Sequence, residues 1–162
     1  MANENEDAPE RQVILQKIFV KDVSLEVPNA PSVFTREYKP EIDVQLNNAV
    51  YNLDNDTHQV LLTVTVTAKQ DNNTTFLVEV HQAGIFTVTG FESTEERDAV
   101  LGAYCPNLLF PYARETVSDL VQRGGFPQFL LQPVNFDALY HQQHEQSQQA
   151  SAAGDGTAPA QH

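Results

Sequence analysis

Cys105 is the one thiol in this 162-residue chain, and it could act as a nucleophile only if a neighbour lowered its pKa. It stands before Pro106 among Tyr104, Leu108 and Leu109, with no charged residue beside it, which is the setting of a buried structural cysteine. His141 and His144 in HQQH could each touch a metal ion. They sit in a Gln-rich tail without further ligands, so the pair reads as composition, and neither metal nor other cofactor is expected. His58 and His81 are isolated strand histidines, and Asp54-Asn55-Asp56 opens like a calcium loop but lacks the glycine and the closing glutamate, which makes it a turn. No phosphate-binding loop, dinucleotide fingerprint or serine elbow occurs, so no enzyme is expected.

Two groupings remain. Asp22, Ser24 and Glu26 alternate with Val23, Leu25 and Val27, so a strand would put both carboxylates on one face, and Glu79 joins them if its strand is a neighbour. That face is either a solvated surface or a docking site for something basic. Phe, Tyr and Leu side chains also crowd two proline-rich segments, 28–40 and 126–136, where regular structure is blocked. They form either a packed loop core or a groove for extended apolar peptides, whose affinity would come from burial at about 25 cal/mol per Å² without reading sequence.

The elements that must position these groups follow from periodicity. Residues 12–27 read as a strand with Val13, Leu15, Phe19, Val23, Leu25 and Val27 on one face and Ile14, Ile18 and Val20 on the other, its first half buried on both sides. Ile42, Val44 and Leu46 define a half-buried second strand, and Val60 to Ala68 a third. A loop of about four to five residues around QDNN leads to a fourth strand, in which Gly84 marks a kink or bulge. Residues 91–103 read as a helix with Ser93 or Thr94 as N-cap. Pro106 suits a first helical turn and Pro111 demands a bend or a two-part entry near Phe110. Tyr112, Ala113, Thr116, Val117, Leu120 and Val121 then recur at helical spacing until Gly124 and Gly125 stop the helix. A short last helix begins at Asn135. Residues 1–10 and 141–162 are expected to be disordered, flanking one domain over 11–140. Strands followed by helices give an α+β fold, a four-stranded antiparallel sheet with helices packed on one face.

A net charge of −13 disfavours nucleic acid and anionic membranes and favours a basic partner. No apolar run is long enough to span a bilayer, and the acidic start MANENEDAPE is unlike a secretion signal. A single cysteine fits a reducing compartment, so a cytoplasmic protein without membrane insertion is expected. These features alone describe an acidic, oligomeric binding protein.

At GAYCPNLLFPYARE the sequence closely resembles SecB, the bacterial protein-export chaperone family. KDVSLEVPNAP, LLTVTVTA, FLVEVHQAGIF and GGFPQFLLQPVNFDAL extend the likeness, in order, over residues 13–140. The resemblance implies a homotetramer, a dimer of dimers in which the main helices lie between two eight-stranded sheets. It implies an ATP-independent holdase that keeps precursor proteins unfolded and passes them to the translocation ATPase SecA, whose basic, zinc-bearing C-terminal segment docks on the acidic sheet face. By motif, the SecA contact falls on Asp22, Glu26, Leu77 and Glu79, and the client groove on Phe34, Tyr38, Phe126 and Phe136. Val78, Val80 and Gln82 correspond to positions linked to assembly, with valine at 78 where many relatives carry cysteine. A reading from a different class is a scaffold whose acidic face binds one folded basic partner.

Overall fold

The computed structural model describes residues 9–154. The disorder expected over 1–10 falls, but for its last two positions, outside the described residues, as does the tail beyond 154. Strands β1 (Gln12–Glu26), β2 (Glu41–Asp54), β3 (Thr57–Gln70) and β4 (Asn73–Thr89) form one antiparallel sheet in the order β1-β4-β3-β2. The two β-branched central strands bury Val60, Leu62, Val64 and Val66 and, from β4, Phe76, Val78, Val80 and Phe86. Helices α1 (Thr94–Ala99), α2 (Cys105–Arg123) and α3 (Phe136–Ala153) follow, and α2 lies across β4 and β3. The expected α+β arrangement is therefore present, and its core sits between the sheet and α2.

The hairpin loop between β3 and β4 is tighter than expected: Gln70 pairs with Asn73, leaving only Asp71 and Asn72, both at positive φ (51° and 62°). Asp and Asn tolerate that left-handed conformation, which two-residue hairpins need.

Strand β1 departs from the expected pattern. It is an edge strand, largely exposed, with register shifts at Leu15/Lys17 and Val20/Asp22. Each bulge inserts one unpaired residue and reverses the alternation. Val13, Leu15, Ile18, Val20, Val23 and Leu25 consequently stand opposite the helix-facing residues of β4, while Phe19 stands opposite Ala83 on the outer face. The buried amide of Gln82 donates from Nε2 to the Phe19 carbonyl at 3.1 Å, capturing a backbone acceptor beside the second bulge. Gly84, expected to mark a kink or bulge, shows no bulge: it lies in unbroken register. A Cβ there would meet Phe86 at 2.7 Å and Leu109 at 2.9 Å, so the glycine admits α2 to the sheet.

The helical entry also breaks earlier than Phe110. Residues Val100–Tyr104 form a π-helical segment between α1, capped by the Ser93 side chain, and α2, which passes through Pro111 uninterrupted. The Cys105 N–H bonds the Val100 carbonyl five residues back, and the next donor in that series would be Pro106, which has none. The Leu101 carbonyl instead accepts a hydrogen bond from Asn48 Nδ2 of β2 at 3.3 Å. On α2 the buried stripe is Leu109, Ala113, Val117 and Val121; Tyr112, expected among them, is exposed like Tyr104.

At the other end Gly125 has φ +90°, and the N–H groups of Gly124, Gly125 and Phe126 return to Leu120, Gln122 and Val121, closing the helix as expected. Helix α3 is longer than the short helix expected: it continues through the Gln- and Ala-rich stretch to Ala153, with its N-cap at Asn135. Gln and Ala are strong helix formers, so this part holds helical geometry with its side chains in solvent.

Candidate binding surfaces

Among the described residues, no helix lies on the outer face of the sheet. Asp22, Ser24 and Glu26 of β1 pair with His81, Glu79 and Leu77 of β4, and those pair in turn with Thr63, Thr65 and Thr67 of β3. Asp43 of β2 stands opposite Thr67 and adds a further carboxylate. The structure thus brings together Asp22, Glu26, Leu77 and Glu79 across two paired strands. A residue absent from that expected set lies at its centre. His81 Nε2 is 2.7 Å from Glu79 Oε1, and its Nδ1 is 3.3 Å from the Thr63 hydroxyl. The two-residue period of β4 already puts Glu79 and His81 on one face, whereas only strand pairing brings Thr63 and Asp22 to the histidine.

Further along, the same face turns apolar and basic. Ala83 lies between Phe19 and Leu61, and Lys21, in the second bulge, reaches over the Tyr51 ring at 5.9 Å.

On the helix side, Phe34, Tyr38 and Phe126 converge. Phe126 stacks on Phe34 with centroids 5.2 Å apart, meets Tyr38 at 5.9 Å and reaches the core through Phe76 at 5.1 Å. Phe126 is buried, whereas Phe34 is 50% and Tyr38 37% exposed. Burial also pushes the Tyr38 hydroxyl above its ordinary pKa. Gly125 lets the cluster close, since a Cβ there would meet the Phe34 ring at 3.0 Å. Phe136 does not join them: it is buried edge-on against Phe110 at 5.5 Å and roots α3.

The segment from 126 to 135 is both packed and exposed. Phe126 and Leu131 are buried, and Arg114 holds the Leu131 carbonyl at 3.0 Å while covering Phe110, yet Leu130 is 52% exposed. Ile42, Val44 and Val50, on the helix-facing side of β2, are also exposed, because α2 covers β3 and β4 and not this edge. A cleft of about 280 Å³ opens there between β2 and α3, lined by Asn48, Val50, Asp98, Leu101 and Tyr140.

Val78, Val80 and Gln82 are fully interior and stand opposite Leu25, Val23 and Val20. No cluster of metal-ligating residues occurs among the described residues, and none of the described helices is long and apolar enough to cross a membrane.

A bulged four-stranded sheet with one helical layer, an aromatic pocket and an acidic outer face defines a binding protein. The family described as preprotein translocase subunit SecB matches residues 5–147. Protein-export protein SecB of Alcanivorax borkumensis is 57% identical over 91% of this chain and 98% of its own. The corresponding protein of Methylococcus capsulatus is 53% identical over 92% of this chain and 95% of its own. A solved SecB-like chaperone of Mycobacterium tuberculosis, in complex with a peptide from an antitoxin, shares the fold with a TM-score of 0.62 at 21% identity, covering 75% of this chain and 90% of that one. The chain belongs to the SecB family of protein-export chaperones, which is not an enzyme family.

Proposed function

We propose that this protein is an ATP-independent holdase of the cytoplasm that binds unfolded precursor proteins on its helix side and hands them to SecA through its acidic outer face. The observation that carries the client role is the anchored yet open aromatic cluster: Phe126 is fixed in the core while Phe34 and Tyr38 present their rings to solvent. Fully burying a Phe is worth about 1.5–3 kcal/mol, so the exposed half of Phe34 retains about 1 kcal/mol for an incoming apolar side chain. The exposed apolar residues of β2 and Leu130 extend that surface for an extended chain.

Assembly as a dimer of dimers accounts for two other exposed features. The edge of β1 exposes Leu15, Val20 and Val23 on its helix side, and α2 carries exposed Tyr104 and Tyr112 beside the buried stripe. Both are unusual for a free monomer, and a second copy would cover them. Val78, Val80 and Gln82 act on assembly indirectly, by holding β1 in its bulged register. Asp22, Glu26, Leu77 and Glu79 receive SecA by charge complementarity on the opposite face, leaving clients undisturbed.

The test is suppression of aggregation of an unfolded, apolar-rich client without ATP. A stoichiometric tetramer should hold it soluble, and failure to slow light scattering would overturn the holdase role.

A further inference from the structure

The segment between β1 and β2 carries Phe34 and Tyr38, yet among the described residues none of its backbone groups bonds the backbone of another element. Its backbone–backbone bonds are local turns, such as that from the Val33 N–H to the Asn29 carbonyl at 2.9 Å. Side chains tie it to the β3–β4 hairpin instead. At its start Asn29 Nδ2 donates to the Thr74 carbonyl at 2.9 Å. At its end the Gln70 amide is engaged at both atoms: Oε1 accepts from the Lys39 N–H at 2.9 Å, and Nε2 donates to the Glu37 carbonyl at 2.7 Å. Gln70 thus grips the backbone on either side of Tyr38. Its own backbone is fixed, because it pairs with Asn73 as the last rung of the hairpin. The β2–β3 ladder begins at Glu41 opposite Lys69, so the Gln70 side chain carries the pairing on into residues 37–39. Between its ties the segment spans a gap. A cavity of about 270 Å³ lies there, with Val33 and Arg36 on one side and Gln70, Thr74 and Thr75 on the other. The Phe34 and Tyr38 rings therefore depend on Phe126, at 5.2 and 5.9 Å, and on these ties for their placement.

We propose that Gln70 is a positioning residue for client binding: by fixing residues 37–39 it holds Tyr38, and with it Phe34, in the half-exposed setting that receives an apolar side chain. The inference rests on the client role assigned to this cluster above. Its physical basis is pre-organisation, since a surface already ordered loses less conformational freedom when the client arrives. Phe126 needs no such help, being buried in the core. Both polar atoms of the Gln70 amide are taken up by the segment, so Gln70 holds the backbone that bears the rings rather than the client itself.

The test is titration of the full-length protein with a fluorescently labelled, unstructured peptide rich in Leu and Phe, combined with hydrogen exchange. Gln70→Met keeps the length of the side chain and removes both bonds, whereas Gln70→Glu retains the acceptor for the Lys39 N–H. Peptide affinity should fall about three- to tenfold in Gln70→Met and less in Gln70→Glu. Exchange of the Lys39 amide should accelerate in Gln70→Met while β3 and β4 stay protected. A Tyr38→Ala background separates positioning from a general loss of stability: if Gln70 acts through Tyr38, Gln70→Met should cost less affinity there than in the unaltered protein. An unchanged Lys39 amide, full additivity with Tyr38→Ala, or affinity retained in Gln70→Met overturns the role of Gln70. If instead Tyr38→Ala by itself leaves peptide affinity unchanged, the client surface assigned to this cluster falls, and the proposal falls with it.

Discussion

Tyr140 rests its ring against the backbone of Gly102, so closely that a Cβ at that glycine would lie 2.5 Å from the ring's Cδ2 and Cε2 atoms. The contact joins α3 to the π-helical segment between α1 and α2, and His144 stacks on the Tyr140 ring with centroids 5.9 Å apart. Burial, then the carboxylates of Asp98 and Glu95, hold the Tyr140 hydroxyl above its ordinary pKa. Because α3 beyond this point has only exposed side chains, its attachment depends on Phe136, Leu139 and Tyr140.

Gly102→Ala should therefore loosen α3 selectively. Overpacking typically costs about 1–3 kcal/mol, and here the cheapest relief is to release Tyr140. Hydrogen exchange should accelerate over Phe136 to His144 while β3 and β4 stay protected. Unchanged exchange in α3 would show that the ring contact does not anchor it.

Cys105 should be chemically silent in the native protein. Burial pushes its thiol up to about 12, so almost no thiolate exists at neutral pH. A disulfide reagent is expected to modify it only after denaturant unfolds the chain, at the rate of unfolding. Rapid labelling of the folded protein would contradict the closed packing of α2 on the sheet.

His58 should make stability fall with acid. It is buried near Arg97 and Asp98 of α1, its Nε2 has no hydrogen-bond partner among the described residues, and burial followed by Arg97 lowers its pKa, against the opposing effect of Asp56 and Asp98. The unfolded chain then takes up the proton before the folded one does. The contribution is full above the ordinary imidazole value of about 6.5 and is lost as pH falls below it towards the folded value. His58→Gln should lose less melting temperature than the unaltered protein between about pH 7.5 and pH 5.5. Equal losses would place the acid sensitivity elsewhere.

The acidic face was legible in the sequence because Asp22, Ser24 and Glu26 all lie beyond the second bulge of β1, so the two-residue period among them is intact. The upstream half was not. An alternation count assumes an unbroken strand, and the bulges at Gln16 and Lys21 each reverse it, which moves Ile18 and Val20 to the helix side and Phe19 outward. Pro106 announced a helix start, but the Asn48 side chain that satisfies the Leu101 carbonyl comes from a strand more than fifty positions away, beyond any local pattern. Phe126 and Phe136 look alike in sequence, each beside a proline-rich stretch. Only the rings they meet, Phe34 for one and Phe110 for the other, separate an aromatic cluster at the surface from an anchor inside the fold.

Client holding and SecA docking should be separable by mutation, because Phe34 lies on the helix side and Asp22 on the outer face. Phe34→Ala removes a ring that packs on Phe126 but is half exposed, so the fold loses less than from a core truncation while the proposed client surface would lose the most accessible ring of its aromatic cluster. With about 1 kcal/mol at stake, client affinity should drop about fivefold, and SecA binding should hold. Asp22→Lys reverses one charge of the outer face and sets an ammonium opposite His81, so SecA affinity should fall and become less sensitive to salt, while aggregation of a client is suppressed as before. The double substitution should show the two losses added, since residues on opposite faces with no shared partner rarely couple by more than about 0.5 kcal/mol. Strong non-additivity in either binding measurement would mean that client and partner compete for one surface, and the two-face arrangement would have to be abandoned.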